Sequence, residues 1–561
     1  MVTGSKKGTG SGEPTGPLLA LVAAAAWLVL STLAAGWIAS GGGTPVGGWA
    51  AAALDVWRLG PAHAFTPSPA AWLCWVLTAL IWAAPLLGGL YLWARVTPRT
   101  GGGAQWGGAK VEKLMAVSEK PADHPHQLTL GYGLHTKKLL AGRPHLSAVV
   151  FGLPGSAKTT GLIQPNALEW PGPVVVTVTK AADLDVIYKA RAHGGRPVWV
   201  IAPNGIPGRT THHWSPVAYC TTPEAADKMA EWLADAAVTG DDSRSAPWVE
   251  QAKTIVKAVL LAAHHADGAD RGGIETFTRW LKLGPEAAPH VTAVLRGRGF
   301  NDAAEDYEAA WQLHPDGIGS IRFTLNVITR VYSDTQVRAT SSRSDFTAEE
   351  LLQRSGTLCM VALPTNAERL APLFTALSAS ILNAVEENFE RTGKALDPPL
   401  AGLWDEAGNM LRYPKIGAVV TNGRALGVVL LTVWHDLSQM RSRIGREAAA
   451  TVVNASSLRV LLPGQGDLDT LSYFNRLLDK TQVDRVTTSR AADGSVSTST
   501  STVSEDLAPV HALRELDDGT GLAQDGNRRP VKFRLRMAYE DKALLQLSAS
   551  GGPAPLSLDK G

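Results

Sequence analysis

Two long apolar runs open the chain, and a different pattern follows them. Residues 16–38 (GPLLALVAAAAWLVLSTLAAGWI) and 70–94 (AAWLCWVLTALIWAAPLLGGLYLWA) contain no Asp, Glu, Lys or Arg. About twenty such residues in helical form cross the roughly 30 Å hydrocarbon core of a bilayer. The pattern therefore predicts a transmembrane helix hairpin over 16–95, after an N-terminal tail of residues 1–15. Lys6 and Lys7 precede the first run, Arg95 and Arg99 follow the second, and the connecting segment holds only Asp55 and Arg58 as charges. That asymmetry predicts a multi-pass protein of the inner (plasma) membrane with both termini in the cytoplasm. With no charged side chain inside either run, the hairpin reads as an anchor in membrane lipid and not as an ion path.

Beyond a Gly-rich link at residues 100–108, short β-branched runs alternate with longer helical stretches. The predicted strands are 147–151, 174–178, 197–201, 357–362, 402–405, 428–433 and 458–462. Most are continuous apolar runs, as strands covered on both faces are. The alternation predicts an α/β fold with a mostly parallel sheet. Residues 223–352 carry few strand signals but several helical ones, including PEAADKMAEWLADAAV and PWVEQAKTIVKAVLLAAHHA. They read as an all-α domain inserted between the two parts of the sheet domain, 96–222 and 353–561. Within the second part, the Ser/Thr-rich stretch 487–504 lacks hydrophobic periodicity and reads as a mobile loop or hairpin tip, and a short tail ends the chain.

Composition narrows the function. The chain is 45% hydrophobic and 19% charged, which excludes a mainly disordered protein. Lys+Arg 53 nearly balances Asp+Glu 51, for a net charge of +2, so no chain-wide field draws it to nucleic acid and any DNA contact must be a local patch. Arg322, Arg330, Arg338, Arg343 and Arg354 form one loose basic series, and Arg528 and Arg529 a basic turn; solvated faces are the ordinary reading of both. Cys74, Cys220 and Cys359 lie far apart without C-x-x-C spacing, so neither a disulfide framework nor a zinc site is indicated.

The candidate chemistry begins at residues 148–163, AVVFGLPGSAKTTGLI: an apolar strand, a Gly-rich turn, then Lys-Thr-Thr opening a helix. This is the context a P-loop requires. Gly152, Gly155, Ser156, Ala157, Lys158, Thr159 and Thr160 would wrap backbone N–H groups around phosphate oxygens at a helix N-terminus. Lys158 would reach the β- and γ-phosphates of ATP, and the Thr159 hydroxyl would bind Mg²⁺. Ala157 replaces the second glycine of G-x-x-x-x-G-K-[ST], and it fits if that position keeps negative φ. Downstream, LAGLWDE (400–406) puts Asp405 and Glu406 at the end of an apolar strand: Asp405 for the Mg²⁺ shell, Glu406 to accept a proton from the attacking water. A further strand ends in WHDLSQM, where His435 and Gln439 are candidates to sense the γ-phosphate. Arg424, just before that strand, is a candidate for a subunit boundary.

In combination these residues resemble the type IV secretion coupling proteins, the TraG/TraD family of conjugative DNA-transfer ATPases. The resemblance rests on GLPGSAKTTGLIQPNALEWPGPVVVTVTK (152–180), VWVIAPNG and HHWSPV (198–217), PWVEQAKTIVKAVLLAA (247–263), the LWDEAGNM block, TVWHDLSQM, and NASSLRVLLPGQGDLDTLSYFNRLL (454–478). It covers most of residues 16–480. In that family the P-loop helix is interrupted by an Ile-Pro-Asn-like turn, here Gln164-Pro165-Asn166. The chain departs from the family pattern at Ala157, at His435 where glutamine is usual, and at Val178-Thr179 where Asp-Pro is usual. The resemblance implies a RecA-like P-loop motor domain with an inserted all-α domain and an N-terminal two-helix transmembrane anchor. It implies a ring, a hexamer, that uses ATP and Mg²⁺ to pass single-stranded DNA and its relaxase to a secretion channel, with Arg424 acting on the neighbour's nucleotide. The competing readings are an FtsK-like pump for double-stranded DNA, a protein-secretion ATPase, and a docking platform that binds ATP without hydrolysing it.

Overall fold

The computed structural model describes residues 15–96, 103–206, 209–237, 246–267, 272–312, 314–490 and 496–549. They form two compact units, one of residues up to 101 together with 483–503, the other of the remainder.

In the first unit, helices α1 (Thr15–Ala39) and α2 (Ala71–Val96) occupy the two apolar runs. A short strand pair, Thr44–Pro45 with Phe65–Thr66, and the helix Trp49–Arg58 lie between them in sequence. Leu33, Ala52, Val56, Ala64 and Phe65 make a small core. Side chains of α1 and α2 are described over 26–39 and 71–84, and among the described residues no helix is long and apolar enough to cross a membrane. Lys6, Lys7 and Arg99, on which the predicted orientation rests, lie outside the described residues, as does the C-terminal tail from 550.

The second unit is built on one sheet. Its strands are β1 (Thr129–Gly133), β2 (Leu139–Ala141), β3 (Ala148–Phe151), β4 (Val174–Val178), β5 (Val198–Ile201), β6 (Thr357–Val361), β7 (Leu400–Trp404), β8 (Val428–Trp434) and β9 (Leu458–Leu461), then β12 (Thr520–Asp525) and β13 (Val531–Leu535). Lys480–Arg490 (β10) and Val496–Asp506 (β11) pair separately as a two-stranded ribbon. The spatial order is β2-β1-β13-β12-β9-β3-β8-β7-β4-β6-β5. From β9 to β5 every pairing is parallel, and from β9 outward through β12, β13, β1 and β2 every pairing is antiparallel. The parallel strands β3 to β8 are buried at every position, the two-sided burial that their continuous apolar runs require.

One expectation narrows here and another changes. Of the loop and hairpin readings of 487–504, the strands fit the hairpin: β10 and β11 pair on either side of residues 491–495, which lie outside the described residues. Nearly all ribbon side chains are exposed on both faces, so no apolar alternation marks them, and the β-branched threonines and valines carry the strand preference instead. The P-loop helix is also not broken by a turn at 164–166. Thr159–Ile163 is a π-helical turn that runs directly into α3 (Gln164–Glu169), with Gln164 N–H donating to Thr159 O. Pro165 has no N–H to give Gly161 O, and its ring would crowd that carbonyl; the wider π turn relieves both problems without ending the helix.

Between β5 and β6 the described residues hold helices and no named strand, including Pro223–Ala237 and Ala246–His265. They share one apolar core with a face of the sheet, in which Met229, Leu233, Val256 and Leu260 join Phe151 and Trp199.

Arg191 ties the β4 and β6 region together. Fully buried, it donates to the carbonyls of Trp170 and Gly172 (2.7 Å) and to Thr357 Oγ1 (2.7 Å). Among the described residues no carboxylate pairs with it, and burial pulls its guanidinium down to about 9. Arg191→Met keeps much of the volume but strands those carbonyls, at about 1–3 kcal/mol for each unpaired buried group. We expect its thermal unfolding midpoint, followed by tryptophan fluorescence, to fall by several degrees. An unchanged midpoint would contradict this account of the clamp.

Candidate nucleotide site

The parallel registers bring the functional residues to one edge. Phe151, the last residue of β3, lies opposite Trp434 on β8 and Leu461 on β9, while Thr432 lies opposite Trp404 at the end of β7. The residues that follow these strands therefore emerge side by side at their C-terminal ends, where open α/β sheets form ligand crevices. Gly152 N–H donates to Trp434 O (2.9 Å), and a Cβ on Gly152 would sit 2.8 Å from both Leu462 Cδ1 and Ser156 Oγ. A side chain there would have to push aside Leu462 or Ser156.

In the loop, Ser156 Oγ donates to Leu153 O (2.8 Å). Ala157 has φ +58°, so the condition of negative φ set for it is not met. A Cβ in the left-handed region costs about 1–2 kcal/mol, which the loop holds as strain. Gly161 N–H donates back to Ala157 O (2.8 Å), and this bond into the π turn helps to fix the conformation.

Lys158 is buried, with Nζ 3.4 Å from Gly152 O and 3.7 Å from Glu406 Oε1. The Thr159 hydroxyl donates to Asp405 Oδ2, and Thr177 Oγ1 fixes the Asp405 carbonyl at 2.6 Å. Asp405 is 1% exposed, and its Oδ1 is buried without a hydrogen-bond partner. Burial pushes its carboxyl up to about 6, against the pull of the Thr159 hydroxyl and Lys158. Glu406 behaves oppositely. His435, with Nε2 3.8 Å away, then Lys158 and Asn409 hold its carboxyl down to about 2. Glu406 also has φ +53°, a left-handed backbone at the start of α7 (Ala407–Met410).

Gln439 lies on α8 (Leu437–Ile444) and closes the ring of contacts. Its Oε1 accepts from His435 N–H (3.0 Å), and its Nε2 lies 3.4 Å from Asn409 Oδ1. Asn409 Nδ2 in turn donates to Glu406 Oε2 (3.1 Å). A Cβ on Gly408 would meet Gln439 Cδ at 2.8 Å, so a larger residue there would displace Gln439 from its contacts. Thr160 O accepts from Ala538 N–H (2.9 Å), and its hydroxyl lies 3.9 Å from Met537 Sδ. The C-terminal segment is fastened there by Arg536, which pairs with Glu169 at the end of α3 (2.8 Å) and with Asp541 (2.7 Å).

Lys158, Thr159, Asp405, Glu406, His435 and Gln439 thus share one cluster, and Gly152, Gly155, Ser156, Ala157 and Thr160 form the loop beside it. Arg424 does not join them: it is exposed in the last turn of the helix Ile416–Leu426. The basic series reads as paired surface charge at Arg338 (Glu275, 3.0 Å), Arg343 (Asp345, 2.8 Å), Arg354 (Glu350, 2.7 Å) and Arg528 (Asp525, 3.0 Å). Sequence reasoning missed Thr177, Asn409 and Gln465, whose amide holds His435 O at 2.7 Å. Asn409 had a signal, since it follows Glu406 by three residues, about the spacing of one helical turn.

The donor set fits a hard divalent cation. Asp405 Oδ1 is an orphaned buried carboxylate oxygen beside a hydroxyl, which suits an oxygen-seeking ion. Among the described residues no group of three or more His, Cys, Asp or Glu could hold a metal, so the ion's remaining ligands would be phosphate oxygens and water.

Two predictions follow from this geometry. Asp405 binds its proton more tightly folded than unfolded, so its ionisation costs stability as pH rises from about 4 to about 6, and the cost is complete above that. In nucleotide-free protein with chelator, Asp405→Asn should gain on the order of 3 kcal/mol above pH 6, at 1.36 kcal/mol per pKa unit, and nothing near pH 4. A gain that does not vary with pH, or none, would count against the unpaired carboxylate. Ala157→Gly should raise stability by about 1 kcal/mol at every pH by releasing the left-handed strain; a loss in thermal melts would show that the loop is unstrained.

The family described as type IV secretory system conjugative DNA transfer matches residues 104–549. The conjugal transfer protein TraG of Agrobacterium fabrum is 24% identical over 61% of this chain and 52% of its own length. Protein VirD4 of the same organism is 22% identical over 75% of this chain and 63% of its own length. The chain thus spans between about half and two-thirds of the length of these relatives. Among solved structures, the bacterial conjugative coupling protein TrwBdeltaN70 aligns with a TM-score of 0.56 at 16% identity, covering 78% of this chain and 93% of that one. TrwB in complex with ADP and Mg²⁺ aligns with a TM-score of 0.55, also at 16% identity, over 78% of this chain and 95% of that one, and this likeness establishes the RecA-like α/β fold. With the family matched over residues 104–549, around a P-loop and an Asp-Glu pair at one sheet edge, the chain belongs to the type IV secretory system conjugative DNA transfer family.

Proposed function

We propose that the protein is a membrane-anchored, ATP-driven DNA and nucleoprotein translocase that delivers relaxase-bound single-stranded DNA to a type IV secretion channel. The convergence of Lys158, Thr159, Asp405 and Glu406 at one sheet edge, within the matched family region, carries this reading. Its parts are the anchor at 16–95, motor segments 96–222 and 353–561, and an all-α domain at 223–352. The two apolar runs without charge support the anchor and a plasma-membrane location. The working form is a homo-hexameric ring.

In this mechanism the backbone N–H groups of residues 155–160 and the Lys158 ammonium bind the phosphates of ATP. Thr159 and Asp405 would hold Mg²⁺, whose positive charge would offset negative charge on the bound phosphates. Before nucleotide arrives, Lys158 lies against Glu406; drawing the ammonium onto phosphate frees that carboxylate to orient a water and take its proton. Asn409 and Gln439 hold Glu406 and His435 in place, so that His435 and Gln439 respond to the γ-phosphate. Arg424, exposed and outside its own chain's cluster, reaches the nucleotide of the neighbouring subunit.

Hydrolysis by the detergent-solubilised chain should be stimulated by single-stranded DNA and abolished by Lys158→Ala. Glu406→Gln should lower turnover at least about 100-fold while nucleotide affinity is kept. Arg424→Ala should lower it by about 1,000-fold, and mixing Arg424→Ala with Lys158→Ala chains should restore part of the rate, because some interfaces then combine an intact Lys158 with a neighbour's intact Arg424. Mixtures no more active than either variant would exclude action across the interface, and DNA-independent hydrolysis would contradict the translocase reading.

A further inference from the structure

A cavity of about 370 Å³ is lined by Arg330, Arg369 and Arg412 together with Glu368, Val331 and Pro372. Its charge is not balanced. Arg369 pairs with Asp334, and Arg412 and Arg443 share the single carboxylate of Glu368. Arg330 is exposed and has no ion pair among the described residues, so three lining guanidinium groups meet the one lining carboxylate, Glu368, which Arg443 also shares. Arg412 Nε is buried without a hydrogen-bond partner among the described residues, leaving a donor open to an acceptor from a ligand. Burial and the nearby Arg443 also hold the Arg412 guanidinium below its usual range, the mark of a cation short of counter-charge. A guanidinium fork matches two phosphate oxygens better than it matches a point charge.

We propose that this cavity binds a backbone phosphate of single-stranded DNA. The assignment rests on the DNA-translocase reading and gives it a contact point that joins Arg330, a member of the basic series whose other arginines are mostly paired, to Arg369 and Arg412 from outside that series. The cavity also lies close to the chemistry: Arg412 follows α7, whose Asn409 holds Glu406, and its backbone N–H is fixed by Thr375 Oγ1 at 2.9 Å. A phosphate that draws Arg412 from Glu368 would therefore act on the segment that carries the Glu406 support.

The test is fluorescence anisotropy of a labelled single-stranded oligonucleotide bound to the full chain in detergent, from 50 to 200 mM salt. Arg330→Gln/Arg369→Gln should weaken binding about tenfold. It should also flatten the slope of log affinity against log salt by about 0.7, the value of one phosphate contact on a single strand. Arg330→Lys/Arg369→Lys should keep most of the slope, and Arg354→Gln, which removes a paired surface charge, should leave it unchanged. Thermal melts of each variant establish that it is folded, and Arg330→Gln alone, which breaks no ion pair, should move the slope in the same direction. Wild-type binding with the same slope in the glutamine variants overturns the cavity proposal alone, whereas a wild-type chain that binds no DNA overturns the translocase reading along with it. Protection from melting by inorganic phosphate that the double variant loses, with DNA binding unaffected, would assign the cavity to free phosphate and overturn the DNA assignment.

Discussion

A buried carboxylate that lacks half of its hydrogen bonds is the constraint around which the site is arranged. Asp405 sits at the end of β7 with Oδ2 held by the Thr159 hydroxyl, its carbonyl held by Thr177, and Oδ1 facing nothing. Such a group is expensive in the apo protein, and folding tolerates it because neighbours on both sides of the strand hold it in place. The same tolerance extends to the left-handed backbones of Ala157 and Glu406. Three local costs within one crevice are what a binding site carries when its ligand supplies the missing interactions.

The sheet makes this arrangement possible. Because β3, β7, β8 and β9 run parallel and in register, the loop after β3, the Asp-Glu pair after β7 and His435 after β8 need no long side chains to meet. The antiparallel half serves a different end. It carries the chain back to Arg536 and Ala538, which fasten the C-terminal segment to the end of α3 and to Thr160. Loss of that clamp would loosen the helix whose first turn holds the loop.

Much of this was legible in the sequence, for identifiable reasons. All seven parallel strands lie within two or three residues of their predicted ends, since two-sided burial writes a continuous apolar run. The antiparallel strands were missed: TLGYG and TGLAQD carry glycines, and LLA spans three residues. VKFRL could have been found, because its burial alternates at every residue. Lys158, Thr159, Asp405 and Glu406 were readable because each belongs to a short local motif. Thr177, Gln465 and the Arg330–Arg369–Arg412 cavity depend on pairings between distant segments that no local pattern records. The π turn was hidden for a similar reason, since Pro165 signals a break in sequence and only the backbone shows that the helix absorbs it.

The central claim is that Thr159 and Asp405 complete a site for ATP with a divalent cation. Thermal melts of the wild-type chain with ATP and Mg²⁺, with ATP and chelator, and with Mg²⁺ alone test it most directly. The account predicts a rise with ATP and Mg²⁺ together, equivalent to about 2.7 kcal/mol at a hundredfold excess over the dissociation constant, and a much smaller rise with either component alone. Equal protection with and without Mg²⁺, or no protection at all, would contradict it.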